Sequence, residues 1–298
     1  MRRRSKQKTV GEEVRLAIMV LAPRAECAFY DPIPVMRPKY FPSLLLSAVC
    51  LLSIPRTALA GPPFITDDPE PVDYQHWEFY LASQSFATAN GWTGTAPHVE
   101  LNYGVIPEVQ LHLIAPLAYS APEGAAAKYG FGDTELGAKI RFLKQTDDFP
   151  EAAIFPLLEL PTGRASEGLG NGKAQAFLPL WLQKDFGEWT VYGGGGYGLN
   201  SGPGNENWSL LGVVVQRQVT KTFALGAEVY HRSPQVIGDR ADTAFNVGTV
   251  IDFSERDHLL FSIGRSIDGP TDFQMYIAYQ ITFGPEFFHL LGGGSTAP

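Results

Sequence analysis

Cysteine is almost missing from this chain, and its absence excludes a large class of chemistry. Only Cys27 and Cys50 occur among the 298 residues, and both precede residue 61. Disulfide bonds, thiolate catalysis and cysteine-ligated metals are therefore excluded for the rest of the sequence.

Long apolar runs are also missing after residue 60. No stretch of about 18 apolar residues follows, so we expect no membrane-spanning helix there. Charged residues make up only 18% of the chain, whereas aromatic residues reach 12% and glycine occurs 31 times. This composition favours many short strands and turns over helices.

Basic residues are scarce in the same region. Residues 1–60 hold 10 of the 23 Lys and Arg and only 4 of the 31 Asp and Glu, which leaves 13 basic and 27 acidic residues in the remainder. An acidic chain lacks the positive surface that neutralises phosphates. A nucleic-acid partner is therefore not expected.

The N-terminal region has the pattern of an export signal. Residues 36–60 combine a short basic start, a largely apolar stretch and the ending Ala58-Leu59-Ala60, which together indicate a signal peptide cleaved after Ala60. Translation would then start at Met36. Residues 1–35 are interpreted as an over-long start or an unstructured leader.

Beyond residue 61 the sequence alternates with a period of two, as strands with one apolar and one polar face do. The final run is the clearest example. One face carries Met275, Ile277, Tyr279, Ile281 and Phe283, and the other carries Gln274, Tyr276, Ala278, Gln280 and Thr282. Residues 133–142 and 245–253 alternate in the same way.

Twelve such strands are predicted, at residues 77–89, 95–105, 109–119, 132–144, 152–160, 174–185, 188–198, 207–219, 222–232, 243–253, 258–266 and 273–283. Short connections near residues 107, 187, 220 and 255 alternate with longer ones at 120–131, 161–173, 199–206 and 233–242. Outer-membrane barrels have short periplasmic turns, longer extracellular loops and an even strand number. The alternative fold, a β-sandwich, is not expected to alternate short and long connections in this way.

Aromatic residues collect at the predicted short-turn ends, as in the girdle of a membrane barrel. They are Trp77, Tyr103, Phe142, Phe186, Trp189, Phe223, Phe253 and Phe283. We therefore predict an all-β fold: an antiparallel up-and-down transmembrane barrel over residues 77–283, in the outer membrane of a Gram-negative cell. Residues 61–76 precede it, and residues 284–298 form a tail after its last aromatic.

If the apolar face points to lipid, the polar face must line the lumen. The candidate lumen-lining residues, which could determine selectivity, are Glu78, His98, Glu100, His112, Asp133, Glu135, Lys139, Arg141, Glu159, Glu228, Arg232 and Asp252. Such charges either fill and stiffen a small barrel or line a solute path through a wider one. Twelve strands lie between these two regimes, and both interpretations stay open.

Three predicted strands do not show a clean alternation. The run 207–219 is apolar on both faces around Leu210–Val215, the run 188–198 is dominated by Gly193–Gly196, and the run 152–160 contains Pro156. Glycines at 193–196 could let the wall bend or leave lumen space, or they could relieve a crowded interior.

Catalytic and metal chemistry find little support in the sequence. His258 and Ser262 share a face but would lie about 13 Å apart at roughly 3.3 Å per residue, too far for proton transfer. His231 and Ser233 lack an evident third partner. The carboxylates of 66–70 could hold a hard cation, although a solvated acidic segment is the favoured interpretation. We predict no catalytic residue, no metal and no cofactor.

Several segments resemble a known family. They are Pro63–Pro71 (PFITDDPEP) with the following Trp77-Glu78-Phe79-Tyr80, then Leu101–Val105, Gly132–Lys139 and Leu158–Gly163. The chain resembles the outer-membrane proteins grouped as MetA-pathway of phenol degradation, over about three quarters of its length. The resemblance implies uptake or export of small, hydrophobic or aromatic compounds, and it carries no catalytic residues.

The first functional hypothesis is a passive outer-membrane channel for small organic compounds. Residues 61–76 would lie in the periplasmic mouth or enter the lumen as a partial plug, and Pro69 and Pro71 argue against strand structure there. The alternatives are a non-conducting structural or stress-related barrel and, with less support, a lipid-modifying enzyme. The expected partners are outer-membrane lipid, a small-molecule solute and the barrel-assembly machinery.

Overall fold

The structure, a computed structural model, describes residues 62–286. The predictions for residues 1–35, the signal peptide 36–60 and most of the tail after Phe283 lie outside this range. The strands are β1 Trp77–Thr88, β2 Gly91–Ile106, β3 Val109–Pro122, β4 Lys128–Phe131, β5 Thr134–Leu143, β6 Glu151–Ile154, β7 Leu157–Leu160, β8 Gln175–Phe186, β9 Trp189–Asn200, β10 Trp208–Thr220, β11 Phe223–Arg232, β12 Asp242–Asp252, β13 Asp257–Asp268 and β14 Thr271–Phe283.

These strands form one closed antiparallel barrel. β4 and β5 both pair with β3, and β6 and β7 both pair with β8, so each of these couples is a single interrupted strand of the wall. The barrel closes where β1 pairs with β14, with Trp77 opposite Phe283. The predicted twelve-stranded antiparallel barrel is confirmed. No helix within residues 62–286 is long and apolar enough to cross a membrane.

The apolar face of each strand points outward, as the alternation predicts. On β12, Phe245 and Val247 are exposed on the outer surface while Asn246 is buried inside. On β14, Ile277 and Tyr279 face outward and Gln280 faces inward. An apolar outer surface around a closed sheet is what a lipid environment requires, because backbone groups are satisfied within the wall.

Aromatic rings gather at one rim, as expected for a girdle. Trp77 stacks on Tyr103 with ring centroids 4.3 Å apart and lies 6.4 Å from Phe283. Phe142 and Phe253 project outward at the same end with about six tenths of their surface exposed. We call this end the short-turn rim, because its connections at 107–108, 187–188 and 221–222 are two residues long.

The strands extend further than the sequence predicted, and the connections alternate less regularly. The connection expected at 120–131 shrinks to 123–127, because β3 and β4 remain paired from Leu117 opposite Phe131 to Ser120 opposite Lys128. On the same side of the barrel, the connections at 89–90 and 269–270 are only two residues long. The connection at 144–150, on the short-turn side, is longer than its counterparts.

Proline divides the strand that the sequence left ambiguous at 152–160. β6 ends at Ile154 and β7 begins at Leu157, because Pro156 has no N–H to donate to the ladder. The pairing survives around the break, since Phe155 N donates to Pro179 O at 3.2 Å and Ala138 N donates to Pro156 O at 3.2 Å. The side chain of Phe155 is buried inside the barrel.

The glycine-rich run of β9 makes room for large rings inside the barrel. A Cβ at Gly194 would lie 3.1 Å from the Trp181 ring, and a Cβ at Gly196 would lie 2.8 Å from the Phe177 ring. Phe177 in turn stacks on Trp208 at 4.7 Å. The glycines therefore relieve a crowded interior, the second of the two interpretations that the sequence allowed.

Candidate functional site

Residues 62–72 lie inside the barrel and residues 73–76 lie at its mouth, and we call 62–76 the plug segment. The segment enters at the short-turn rim, where Tyr74 bridges to Gly104, and it reaches the middle of the lumen at Pro63. Thr66 and Asp68 have no exposed surface at all. The interpretation of 66–70 as a solvated acidic segment is therefore wrong, because the lumen wall supplies partners that sequence spacing does not show.

Glu228 on β11 holds the tip of the plug segment. Its carboxylate accepts hydrogen bonds from Thr66 N at 2.5 Å and from Ile65 N at 3.2 Å, and it also accepts one from Asn246 Nδ2 at 2.6 Å. Three donors on one buried carboxylate satisfy backbone groups that no strand ladder satisfies. The predicted lumen residue Glu228 thus binds the plug segment.

Lys139 on β5 holds the acidic turn of the plug segment. Its Nζ lies 3.2 Å from Asp67 Oδ1 and 3.6 Å from Asp68 Oδ1, and it lies 5.0 Å from the centre of the Phe155 ring. The lysine is 4% exposed. A buried ammonium needs such partners, because an unpaired charge there costs several kcal/mol.

Further contacts come from other sides of the wall. Gln183 Nε2 on β8 donates to Glu70 Oε1 at 2.6 Å, and Gln110 Oε1 on β3 accepts from Val72 N at 2.8 Å. Ser262 Oγ on β13 donates to Pro63 O at 2.6 Å. The plug segment is therefore bound by strands distributed around the barrel.

Three wall glycines face the plug segment, and we call them the glycine patch. A Cβ on Gly226 or Gly248 would lie 2.9–3.0 Å from the ring of Phe64, and a Cβ on Gly212 would collide with Thr66 Oγ1. Larger residues at these positions would fill the space that the plug segment occupies. The wall is thus shaped to the segment as well as bonded to it.

The inner face of β10 is apolar because it also contacts the plug segment. Leu210 and Val214 are buried inside the barrel, and Leu210 belongs to an apolar cluster against which Ile65 packs. The ambiguous run 207–219 is thus a wall strand whose inner side contacts the plug segment, while Leu211, Val213 and Val215 face outward.

The plug segment leaves the lumen beside Gly104. Gln75 N donates to Gly104 O at 2.7 Å, and Gly104 N donates to His76 O at 3.0 Å. A Cβ at Gly104 would collide with the backbone of Asp73, so only glycine permits this approach. Apart from the bridge at Tyr74, the segment has no strand structure, as its prolines predict.

A second polar cluster surrounds His112 on β3. Its Nδ1 lies 2.7 Å from Asn102 Oδ1, and its Nε2 lies 3.1 Å from Glu135 Oε1. Asn102 Nδ2 donates to Glu100 Oε1 at 2.9 Å. The structure thus joins three of the predicted lumen residues, His112, Glu135 and Glu100, in one network.

The other candidates lie in separate places. Arg141 forms ion pairs with Glu108 at 2.6 Å and Glu151 at 2.9 Å near the short-turn rim. Glu78 accepts a hydrogen bond from Tyr80 OH at 2.8 Å, and His98 Nδ1 lies 2.6 Å from Thr95 Oγ1. Asp252 Oδ1 lies 2.8 Å from His258 Nδ1. Arg232 lies opposite Asp242 in the strand register. Most predicted lumen charges therefore have protein partners.

Asp133 belongs to a loop contact and not to an open lumen. Its carboxylate accepts hydrogen bonds from Gly163 N at 2.7 Å and from Asn171 N at 2.5 Å, and so it fixes the long loop after β7. Glu159 lies on β7, opposite Glu135 in the register. The loop itself contains the short helix Ala165–Glu167.

Burial affects the acids of the plug segment. Burial raises the pKa of Asp68 well above its usual value, and the Lys139 charge opposes this shift. Burial likewise raises the pKa of Glu70, and the charges of Asp68 and Glu151 raise it further. Within residues 62–286, no group of three or more His, Cys, Asp or Glu is arranged to hold a metal ion.

The serine–histidine pairs do not form catalytic arrangements. Ser262 Oγ donates to Pro63 O, and His258 Nδ1 contacts Asp252. His231 lies on the outer face of β11, where its Nδ1 is 2.8 Å from Thr243 Oγ1, and Ser233 Oγ accepts from Ser209 N. Neither pair brings a hydroxyl to an imidazole.

Sequence reasoning missed the uncharged residues that bind the plug segment. Gln110, Gln183 and Ser262 contact the segment directly, and Asn246 supports Glu228; each lies on the inner face of its strand. Their alternating position could have marked them as inward-facing. The sequence analysis selected only charged residues and histidines as lumen candidates, and so it overlooked these uncharged ones.

The comparisons with known proteins agree with the architecture. A family model described as "Putative MetA-pathway of phenol degradation" matches residues 84–283. A comparison with curated protein sequences finds no match. Among solved structures, the chain is similar to an outer membrane channel from Pseudomonas putida F1, with a TM-score of 0.62 and 19% identity over 72% of this chain and 98% of that one.

Two other barrels show a weaker likeness. The KdgM porin, solved in complex with oligogalacturonate, has a TM-score of 0.47 and 10% identity over 70% of this chain and 99% of that one. The translocator domain of the autotransporter NalP from Neisseria meningitidis has a TM-score of 0.44 and 11% identity, over 70% of this chain and 86% of that one.

Proposed function

The chain belongs to the family described as "Putative MetA-pathway of phenol degradation", and on that premise we propose that it is an outer-membrane channel for small organic compounds whose lumen is closed by residues 62–76. Passage is by passive diffusion and requires no cofactor. The outer-membrane location predicted from the sequence agrees with the barrel fold and with its apolar outer surface.

One observation carries the proposal: a non-strand segment occupies the lumen through polar contacts to a fitted wall. The barrel hydrogen bonds form between strands and do not depend on this segment. The segment is attached to the wall by Glu228, Lys139 and Gln183. A segment held in this way can leave its position while the barrel stays intact, because its contacts with the wall, apart from the backbone bonds at Gly104, are made to wall side chains.

The predicted lumen charges take a new role in this proposal. Glu228 and Lys139 position the plug segment, whereas His112, Glu100 and Glu135 satisfy one another. We therefore propose that these charges affect conductance mainly by holding the plug segment in place, and less by contacting the solute directly. Their effect on selectivity would follow from how firmly the segment is held.

The test is a wall substitution that displaces the plug segment and leaves the barrel unchanged. Gly226→Val places side-chain atoms where the Phe64 ring lies, and the matched control Ala227→Val changes the outer face of the same strand. In planar bilayers and in liposome-swelling assays, Gly226→Val should raise the conductance and solute flux, and Ala227→Val should not.

A non-conducting structural barrel is the second candidate, and the filled lumen favours it. Besides the plug segment, an apolar cluster including Tyr80, Val250 and Leu260 occupies the interior. If neither Gly226→Val nor deletion of residues 61–76 yields solute flux from correctly folded barrels, the channel proposal is wrong and the structural role remains.

We propose no enzymatic activity, because neither candidate serine–histidine pair is assembled. Loss of a lipid-hydrolysing activity on His258→Ala or His231→Ala would contradict this.

The remaining proposals are that residues 36–60 are a cleaved signal peptide and that the assembly machinery of the outer membrane inserts the barrel. N-terminal sequencing of the mature protein tests the first of these.

A further inference from the structure

Two basic side chains lie on the outer surface of the barrel, at the end opposite the short-turn rim. His231 is exposed on the outer face of β11, and Arg265 is exposed on the outer face of β13. The strand between them, β12, connects the two, because Thr243 lies opposite His231 and Phe245 lies opposite Arg265. We call His231, Thr243 and Arg265 the outer basic patch.

The patch is small enough to hold a single anion. Thr243 and Phe245 are two residues apart on β12, and β11 and β13 are separated by two strand spacings. At roughly 3.3 Å per residue and about 4.8 Å per strand, the Cα atoms of His231 and Arg265 lie roughly 12 Å apart. An ion placed over Thr243 is therefore within reach of both basic side chains.

Neither basic group is neutralised by the protein. Arg265 has no side-chain hydrogen bond or ion pair within residues 62–286. His231 Nδ1 lies 2.8 Å from Thr243 Oγ1, and in the same part of the chain its Nε2 has no partner. Asp268, the acid that lies opposite Thr243, is already paired with Arg240 at 2.8 Å. The patch thus keeps the positive charge of Arg265.

The height of the patch coincides with one edge of the apolar band. Thr243 is ten residues from Phe253 of the short-turn rim, and Phe273 is ten residues from Phe283. Ten residues of a strand tilted by about 40° rise about 25 Å, which is the height of the apolar band of an outer-membrane barrel. Trp92 contacts Phe273 with ring centroids 5.9 Å apart, as in an aromatic girdle. The patch therefore lies at the level of lipid headgroups.

The patch faces the outer leaflet of the membrane. Its end of the barrel carries the connections 161–174 and 233–241, the two longest within the described residues, and longer loops mark the extracellular end of such barrels. On the side toward the short-turn rim, the neighbouring outer-face residues Val229, Val247 and Ile263 are apolar and exposed. A headgroup at the patch would thus have an apolar surface below it for acyl chains.

A phosphate monoester is the anion that suits these donors. It carries about −1.5 to −2 charges and three acceptor oxygens, and a guanidinium binds two such oxygens as a fork. The His231–Thr243 contact supplies one more donor in either tautomer. Nε2–H is available when the hydroxyl donates to Nδ1, and the hydroxyl itself is available when Nδ1 donates to Oγ1.

We propose that the outer basic patch binds an outer-leaflet lipid whose headgroup carries a phosphate monoester. Arg265 donates two hydrogen bonds to the phosphate, and the His231–Thr243 pair donates a third. The acyl chains lie against Val247 and Ile263. The site is on the lipid-facing surface, so it goes beyond the channel function and does not depend on whether the lumen conducts.

Native mass spectrometry of the full-length barrel in detergent tests the proposal. Dioleoyl phosphatidic acid, phosphatidylglycerol and phosphatidylcholine share their chains, and only the first carries a phosphate monoester. From an equimolar mixture, bound phosphatidic acid should exceed each of the others at least fivefold. Equal binding of phosphatidic acid and phosphatidylglycerol overturns the monoester assignment. Release of phosphatidic acid by millimolar inorganic phosphate overturns the lipid assignment, because phosphate alone would then be the ligand.

Two substitutions at Arg265 and a matched control locate the site. Arg265→Gln should reduce the preference for phosphatidic acid at least fivefold, and Arg265→Lys should restore only part of it, because an ammonium keeps the charge but not the fork. Arg217→Gln is the control, since Arg217 also faces outward, on β10, but lies over the Trp189 ring at the short-turn rim. Heat-modifiable mobility on a gel verifies that each variant is folded. An unchanged preference in folded Arg265→Gln, or an equal loss in Arg217→Gln, overturns the proposal.

Discussion

The ammonium of Lys139 lies 3.2 Å from the Asp67 carboxylate, and this contact joins the barrel wall to the segment that fills it. The two residues are 72 positions apart in the chain. Asp68 shares the same ammonium at 3.6 Å. The contact therefore couples the acidic turn of the plug segment to the wall strand β5.

Lys139→Met should loosen the plug segment while keeping a side chain of similar length. Removing one partner of a buried ion pair costs about 3–5 kcal/mol, because the remaining carboxylates lose their countercharge. We expect a higher open probability in single-channel recordings. Lys144→Met is the control, since Lys144 is mostly exposed and pairs with Glu108 at the rim. Identical recordings for both variants would contradict the role of Lys139.

Acidification should tighten the closed state. Burial raises the pKa of both Asp68 and Glu70 in the plug segment. A carboxyl group whose pKa rises when the segment docks stabilises the docked state. This stabilisation is complete below the pKa of the released segment, which is about 4, and it is lost as the pH rises through the higher pKa of the docked segment. Conductance should therefore increase between pH 4 and pH 8.

The pH response should depend on those two acids. The double variant Asp68→Asn, Glu70→Gln removes both titrations, and its conductance should vary much less over the same range. A wild-type conductance that falls as pH rises would show that other groups control the opening.

Asp133→Ala should release the loop after β7 without unfolding the barrel. The substitution removes two charge-assisted hydrogen bonds, to Gly163 N and Asn171 N, each worth about 1.5–3 kcal/mol. Trypsin should then cut after Arg164 at least tenfold faster than in the wild type. Asp147→Ala, in the connection 144–150, serves as the control. Unchanged cleavage would show that other contacts hold the loop.

Gly194→Val should prevent assembly of the barrel. A Cβ there would collide with Leu180 O and crowd the Trp181 ring, and the φ of +148° is unfavourable for valine. The folded fraction, read from heat-modifiable mobility on a gel, should fall severalfold. Gly204→Ala has open space and φ of +82°, so it should cost only about 1 kcal/mol and leave assembly intact. Normal assembly of Gly194→Val would disprove the packing argument.

The wall of the barrel was predictable from the sequence because its information is local. Alternation from Met275 to Phe283 defines both faces of β14, and the aromatics at strand ends locate the rim. The interruption around Pro156 follows from a missing N–H. Strand ends were less certain, since the hairpin of β3 and β4 continues beyond the residues that alternate.

The docking of the plug segment was not predictable in the same way. The bond between Thr66 and Glu228 joins residues 162 positions apart, and no spacing rule relates them. One signal did exist in the sequence. The run Leu210–Val215 is apolar on both faces, although a water-filled lumen would favour polar residues on the inner face. This pattern indicates that protein packs against the inner side of the strand as well.

The plug segment is continuous with β1 at Trp77, and this continuity determines the thermodynamics of opening. A released segment stays tethered at the barrel mouth, at an effective concentration of about millimolar or above for so short a connection. Opening is then an intramolecular equilibrium, independent of how many copies the membrane holds. Each change of about 1.4 kcal/mol in docking free energy alters the open population of a mostly closed barrel tenfold.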